Sequence, residues 1–205
     1  MPEQGPETGS EGFFSSLEII GQFHRSYILC QDGNDLLLID QHAAHERIGF
    51  EQLRQQLREG GIERQALLFP EVLELNFREA ALFEEYRGEL GRLGFELEPF
   101  GGNSFALKAV PRLLERVPAD RLLRDVACEL ASVGKSALVE ESLEAVLILI
   151  ACHSVIRANQ RLSTVEIRGL MEALDQVDFS AHCPHGRPVM RRLPLSDIER
   201  MFKRT

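Results

Sequence analysis

Four aliphatic residues in a row, Leu36-Leu37-Leu38-Ile39, end at an acid, Asp40, and the pattern then changes from a strand's to a helix's. An unbroken apolar run of that length fits a buried strand. Beyond it, Ala44, Ile48, Leu53 and Leu57 fall on one helical stripe, and Gly60-Gly61 stops the helix near residue 59. A buried strand feeding directly into an amphipathic helix predicts a mixed α/β (α+β) fold.

The rest of the chain agrees. Residues 19–30 read as a strand, followed by turn chemistry at Gln31-Asp32-Gly33-Asn34. Residues 65–75 read as extended and broken by Pro70, and 77–93 as a helix stopped by Gly94. Short strands are predicted at 95–97 and 105–110, and helices at 121–133 and 138–159. The second of these is almost wholly apolar from Ala145 to Cys152, which marks a central buried helix. Ser163 with Glu166 three residues on predicts a capping box. An irregular stretch, Cys183-Pro184-His185-Gly186-Arg187-Pro188, closes the pattern.

Residues 1–15 are polar, acidic and rich in Gly, Pro and Ser, so they are expected to be a disordered linker remnant. The chemistry-bearing residues lie at 40–51 and 152–188. This suggests one subdomain from 16–63 and 138–205, with 64–137 inserted as a second. The net charge of −9 argues against a stand-alone nucleic-acid binder, because phosphate contacts need a cationic surface. The charge is uneven: residues from Arg187 on carry +4 and the remainder −13. The four cysteines, Cys30, Cys128, Cys152 and Cys183, form no C-x-x-C pair and read as reduced thiols of a cytoplasmic protein. No run approaches the ~18 apolar residues of a membrane span, and the N-terminus lacks the features of a secretory signal.

Three clusters carry chemistry. In the first, Asp40-Gln41-His42-Ala43-Ala44-His45-Glu46, the strand end places a carboxylate at the start of the helix. His42 and Glu46 are about 40° apart around the axis, so they share a face and suit a single ion; His45, about 60° to the other side, can join them. Glu51 lies about 180° from His42 and does not face the same ion. The plain alternative is that Asp40 only caps a solvated first turn. The order H-x-x-H-E also differs from the H-E-x-x-H of zinc proteases. In the second cluster, Cys152 closes an eight-residue apolar run from Ala145 and His153 follows it; the cysteine is either a core residue or a ligand, and the histidine needs a partner. The third, Cys183 and His185 on either side of a proline, offers donors that zinc prefers, or is an ordinary turn. Together they supply soft donors for zinc and carboxylates for magnesium or manganese. Separately, Gln65-Ala66-Leu67-Leu68-Phe69-Pro70 has the form of an extended peptide that docks in a partner's groove, or begins an ordinary strand.

Asp40-Gln41-His42-Ala43-x-x-Glu46-x-x-x-x-Glu51, Ala151-Cys152 and Cys183-Pro184-His185-Gly186-Arg187-Pro188, in that order, resemble the endonuclease motifs of the MutL C-terminal domain family of DNA mismatch repair proteins. The approach through Ile20-Gly21-Gln22-Phe23 and Tyr27-Ile28-Leu29 is similar too, so the resemblance covers residues 18–205. It implies a homodimerising subdomain with an external regulatory one, joined to an N-terminal ATPase. It also implies latent nicking of duplex DNA, with a replicative sliding clamp as partner and the mismatch recognition protein as an indirect one. By resemblance, Asp40 and Glu46 are catalytic. Asp40, His42, Glu46, Cys152, Cys183 and His185 would bind Zn2+ and Mn2+ or Mg2+, with His45, His153, Glu51 and Arg187 as further candidates. Gln65, Leu67, Leu68, Phe69 and Pro70 would bind the clamp. Localisation would be cytoplasmic, with the bacterial nucleoid. His153 stands where the family usually has lysine or arginine. The competing expectation is a non-nucleolytic dimerisation module with a structural zinc.

Overall fold

The computed structural model describes residues 12–114, 117–133, 139–154, 160–177 and 186–204. In chain order the first elements are β1 (Glu18–Phe23), β2 (Tyr27–Asp32), β3 (Asp35–Asp40), α1 (Gln41–Glu59), β4 (Arg64–Glu74), α2 (Phe77–Glu85) and α3 (Arg87–Arg92). They are followed by β5 (Glu96–Gly101), β6 (Ser104–Pro111), α4 (Ala119–Val133), α5 (Val139–Ser154), α6 (Thr164–Asp175), β7 (Met190–Leu193) and α7 (Leu195–Met201). The fold is mixed α/β, as the sequence predicts. The chain divides into two compact units, one made of its two ends, up to Glu51 and from Val155 on, the other of Gln52–Ser154.

In the unit made of the ends, an antiparallel sheet runs in the order β1-β2-β3-β7. Ile28, Cys30, Leu37 and Ile39 pack against Ala43, Ala44 and Ile48 of α1 and Ile167, Leu170, Met171 and Leu174 of α6. The run 36–39 is therefore buried on one face only: Leu37 and Ile39 are inside, while Leu36 and Leu38 are half-exposed. The expected strand is present, and helices cover one side of this antiparallel sheet. Arg192 of the edge strand β7 donates to Asp35 and Asp32 at 2.8 and 2.6 Å, and these bonds, that to Asp35 foremost, raise its pKa. Ser163 and Glu166 form the expected capping box.

Two expectations change here. Residues 19–30 are not one strand. Ser26 N–H donates to Phe23 O at 3.1 Å, closing a two-residue turn with His24 and Arg25 at φ 50° and 55°. Such turns usually carry Asn-Gly, so this one was invisible in the sequence. Residues 12–15 are ordered as a turn: Phe14 enters the core, and the Asp175 carboxylate accepts from the N–H groups of Phe14 and Ser15 at 2.7 and 2.8 Å. An apolar side chain outweighs the polar composition around it.

In the other unit the sheet order is β4-β6-β5, again antiparallel. Phe83 and Phe105 meet edge-to-face at 6.2 Å inside it. Helix α5 packs on α4 and buries Val146, Leu147, Ile150 and Ala151, as its apolar run predicts. The helix expected over 77–93 breaks at Tyr86, where Gly88 and Gly91 lower the propensity of the second half. Between the pairs Ala66↔Ala109 and Glu71↔Leu107 the register slips, so residues 67–70 leave the ladder. Leu68 and Phe69 are 88% and 77% exposed there.

Burial pushes the Cys30 thiol up to about 11 from 9.0. The unfolded chain releases that proton first, so stability should fall as pH rises through roughly 9 to 11 in a urea titration series. At pH 8, mass spectrometry after mild alkylation should find exposed Cys128 modified and Cys30 untouched. Equal modification of both would contradict the packing.

Candidate metal centre at the start of the first helix

A helix leaves its first four N–H groups without intrahelical partners. In α1 all four are satisfied, each by a specific group. Asp40 N–H donates to Val189 O and Gln41 N–H to Ser26 O, both at 2.9 Å. His42 and Ala43 N–H groups donate to Asp40 Oδ1 at 2.9 and 3.1 Å. Asp40 is thus the N-cap. Its other oxygen has no partner among the described residues. The helix dipole favours the charge there.

One turn along, His42 Nε2 lies 3.2 Å from Glu46 Oε1. The glutamate is buried and the histidine half-buried. His42 Nδ1 is buried and has no hydrogen-bond partner among the described residues. Both features fit a cation. With the ring proton on Nε2, facing Glu46 Oε1, the orphaned Nδ1 carries the lone pair that a metal ion would take. Among the described residues no group of three or more His, Cys, Asp or Glu side chains is arranged around one point. Cys183 and His185 lie outside the described residues.

Beneath the cap, Gln41 is 1% exposed. Its Oε1 accepts from Gln22 Nε2 at 2.5 Å, and its Nε2 donates to Gln160 O at 3.5 Å. Gln22 also donates to Gln160 O at 2.9 Å and accepts from Leu162 N–H at 3.1 Å. The two glutamines knit β1, the start of α1 and residues 160–162 into one polar cluster.

The family model described as MutL C terminal dimerisation domain matches residues 20–162. The chain belongs to this family. Among MutL relatives, the DNA mismatch repair protein MutL of Syntrophotalea carbinolica is 56% identical over 198 residues, 97% of this chain and 32% of the relative. That of Geobacter sulfurreducens is 54% identical over 193 residues, 94% of this chain and 32% of the relative. That of Trichlorobacter lovleyi is 47% identical over 195 residues, 95% of this chain and 33% of the relative. The chain spans about a third of the length of the curated MutL relatives it matches. The stretch matched by the MutL family model takes in Asp40, His42, Glu46 and Cys152 and stops before residues 183–188.

The other candidates of the MutL motifs have separate surroundings. His45 turns its Nδ1 onto the carbonyl of Gln41 at 2.7 Å, within its own helix. Glu51 pairs with Arg47, 2.6 Å away, and both are nearly buried. His153 finds its partner in Asp125 of α4, Nε2 to Oδ2 3.1 Å. Cys152 is half-buried near the end of α5. Arg187 is exposed, two residues before the carbonyl that receives Asp40. Sequence reasoning missed the glutamine cluster and Arg47. The i,i+4 spacing of Arg47 and Glu51 was a readable signal; nothing pointed to Asp125.

A nearly buried ion pair costs most when one partner is removed. Arg47→Met should lower the unfolding free energy by about 3 kcal/mol. Arg47→Met with Glu51→Leu should recover most of the loss, as read by urea denaturation. A double variant as unstable as the single would show that the pair is not the source.

Proposed function

We propose that the chain is the C-terminal part of a MutL-type mismatch repair protein that homodimerises and carries a latent, metal-dependent endonuclease nicking duplex DNA. The carrying observation is the His42–Glu46 pair one turn from the N-cap residue Asp40, whose backbone N–H is tied to Val189 O. That bond matters because Cys183 and His185 precede Val189 by only six and four residues. Four residues of extended chain reach at most about 14 Å. His42, Glu46, Asp40, Cys152, Cys183 and His185 would hold zinc and manganese or magnesium. Such ions, when bound, activate water and neutralise charge on the phosphodiester oxygens. Asp40 performs two tasks in this reading: Oδ1 fixes the helix start, while the other oxygen stays available to the site. The Glu46 carboxylate accepts from His42 and so sets that ring's orientation. Burial keeps Glu46 away from bulk water.

The partners follow the same reading. The net charge of −9 opposes tight binding to DNA by this chain alone, so the substrate would be delivered by others. A sliding clamp would take Gln65-Ala66-Leu67-Leu68-Phe69-Pro70. Its exposed Leu68 and Phe69, freed from the β4–β6 ladder, supply apolar anchors. The N-terminal ATPase of the relatives' type would gate the activity, and the mismatch recognition protein would act through it. The subdomain of residues 16–63 and 138–205 would dimerise, and that of 64–137 would be regulatory.

The rival, a non-nucleolytic dimerisation module with a structural zinc, draws support from Asp40's use as a cap. Asparagine caps as well as aspartate does. Asp40→Asn in a full-length protein carrying this chain should therefore keep melting temperature and zinc content while losing manganese-supported nicking by at least about 100-fold. Nicking retained by the variant would remove Asp40 from the chemistry, and no manganese-dependent nicking by the parent would favour the rival. Leu68→Ala with Phe69→Ala should abolish retention on immobilised clamp with no change in melting temperature; unchanged retention would remove the clamp from the scheme.

A further inference from the structure

Three chain segments distant in sequence are bonded onto the junction between β3 and α1. Ser26 O accepts from Gln41 N–H, Val189 O accepts from Asp40 N–H, and Gln160 O accepts from the side chains of Gln22 and Gln41. Each segment brings an arginine within one or two residues of its bonded carbonyl: Arg25, Arg187 and Arg161. All three are exposed, and none has an ion-pair or hydrogen-bond partner among the described residues.

Three other arginines of this unit are engaged, while exposed Arg168 and Arg204, with side chains also unpartnered among the described residues, lie on segments that make no bond to this junction. Arg47 is held by Glu51, Arg192 by Asp32 and Asp35, and Arg200 by Asp197. The placement of Arg25 is also costly. It sits in the left-handed region, next to His24 in the same conformation, where Asn or Gly would be relaxed.

We infer that Arg25, Arg161 and Arg187 form a rim of phosphate contacts around the start of α1, taking the sugar-phosphate backbone of duplex DNA. Guanidinium groups recognise phosphate oxygens through paired N–H donors. Contacts of this kind position a duplex without reading its sequence. On an acidic chain, three exposed cations on segments bonded to one junction, unpartnered among the described residues, give the backbone a place to settle. The inference rests on the nuclease reading for the choice of ligand and extends it to the orientation of the substrate.

The test is equilibrium binding of the 205-residue chain to duplex DNA of random sequence, without divalent metal, over a salt series starting low. Each phosphate contact contributes about 0.9 to the slope of log affinity against log salt. Arg25→Ala, Arg161→Ala and Arg187→Ala should each flatten the slope by about 0.9, and the triple variant by about 2.7. Melting temperatures should stay unchanged. Arg78→Ala, exposed on α2, should leave the slope as it is. ATP at equal phosphate concentration should not displace the DNA. No binding by the wild type at low salt, a triple variant with the wild-type slope, an equal effect of Arg78→Ala, or displacement by ATP would each overturn the rim.

Binding read without metal separates the two ideas. Arginine-dependent binding alongside a full-length parent that shows no manganese-dependent nicking would sink the nuclease assignment and leave the rim standing. Loss of nicking with an unaltered salt slope would sink the rim alone.

Discussion

Two backbone hydrogen bonds at the end of β3 organise the candidate site. Asp40 N–H reaches Val189 O and Gln41 N–H reaches Ser26 O. With these donors satisfied from outside the helix, the Asp40 carboxylate has only two N–H groups left to cap. One of its oxygens does this, and the other is left over. The same bonds bring the β1–β2 turn and the segment before β7 to the first turn of α1. His42 and Glu46 then follow from helical spacing alone.

The buried polar groups beneath this junction have a definite stability role. Gln41 is inside the protein, where an unsatisfied amide costs about 1–3 kcal/mol. Gln22 and the Gln160 carbonyl meet that need and bring residues 160–162 to the same place. A satisfied polar cluster of this kind is demanding in geometry, so it fixes the strand-to-helix transition more narrowly than apolar packing does.

Much of this was legible in the residues. The aliphatic run ending at Asp40, the stripe along α1 and the Ser163–Glu166 box are local signals, and each produced the expected element. The turn at His24–Arg25 was not legible because its residues are the wrong type for its conformation; tertiary bonding to Gln41 holds it there. The place of Phe14 was not legible for a similar reason, since its anchor, Asp175, lies about 160 residues away. Within the site, the His42–Glu46 pairing followed from spacing, whereas the ties to Val189 and Gln160 are long-range and leave no local trace. The pairing of His153 with Asp125 likewise depends on how α4 and α5 pack.

The proposed convergence of sulfur and imidazole donors on the helix start is tested most directly with cobalt(II) as a spectroscopic replacement for zinc. The wild-type chain should show the sulfur-to-cobalt charge-transfer band of a thiolate-bound ion. Cys183→Ser should weaken or remove it, and His42→Ala should shift the ligand-field bands of the same ion. A wild-type spectrum without thiolate character, or His42→Ala bands identical to the wild type's, would mean that these residues do not share a cation.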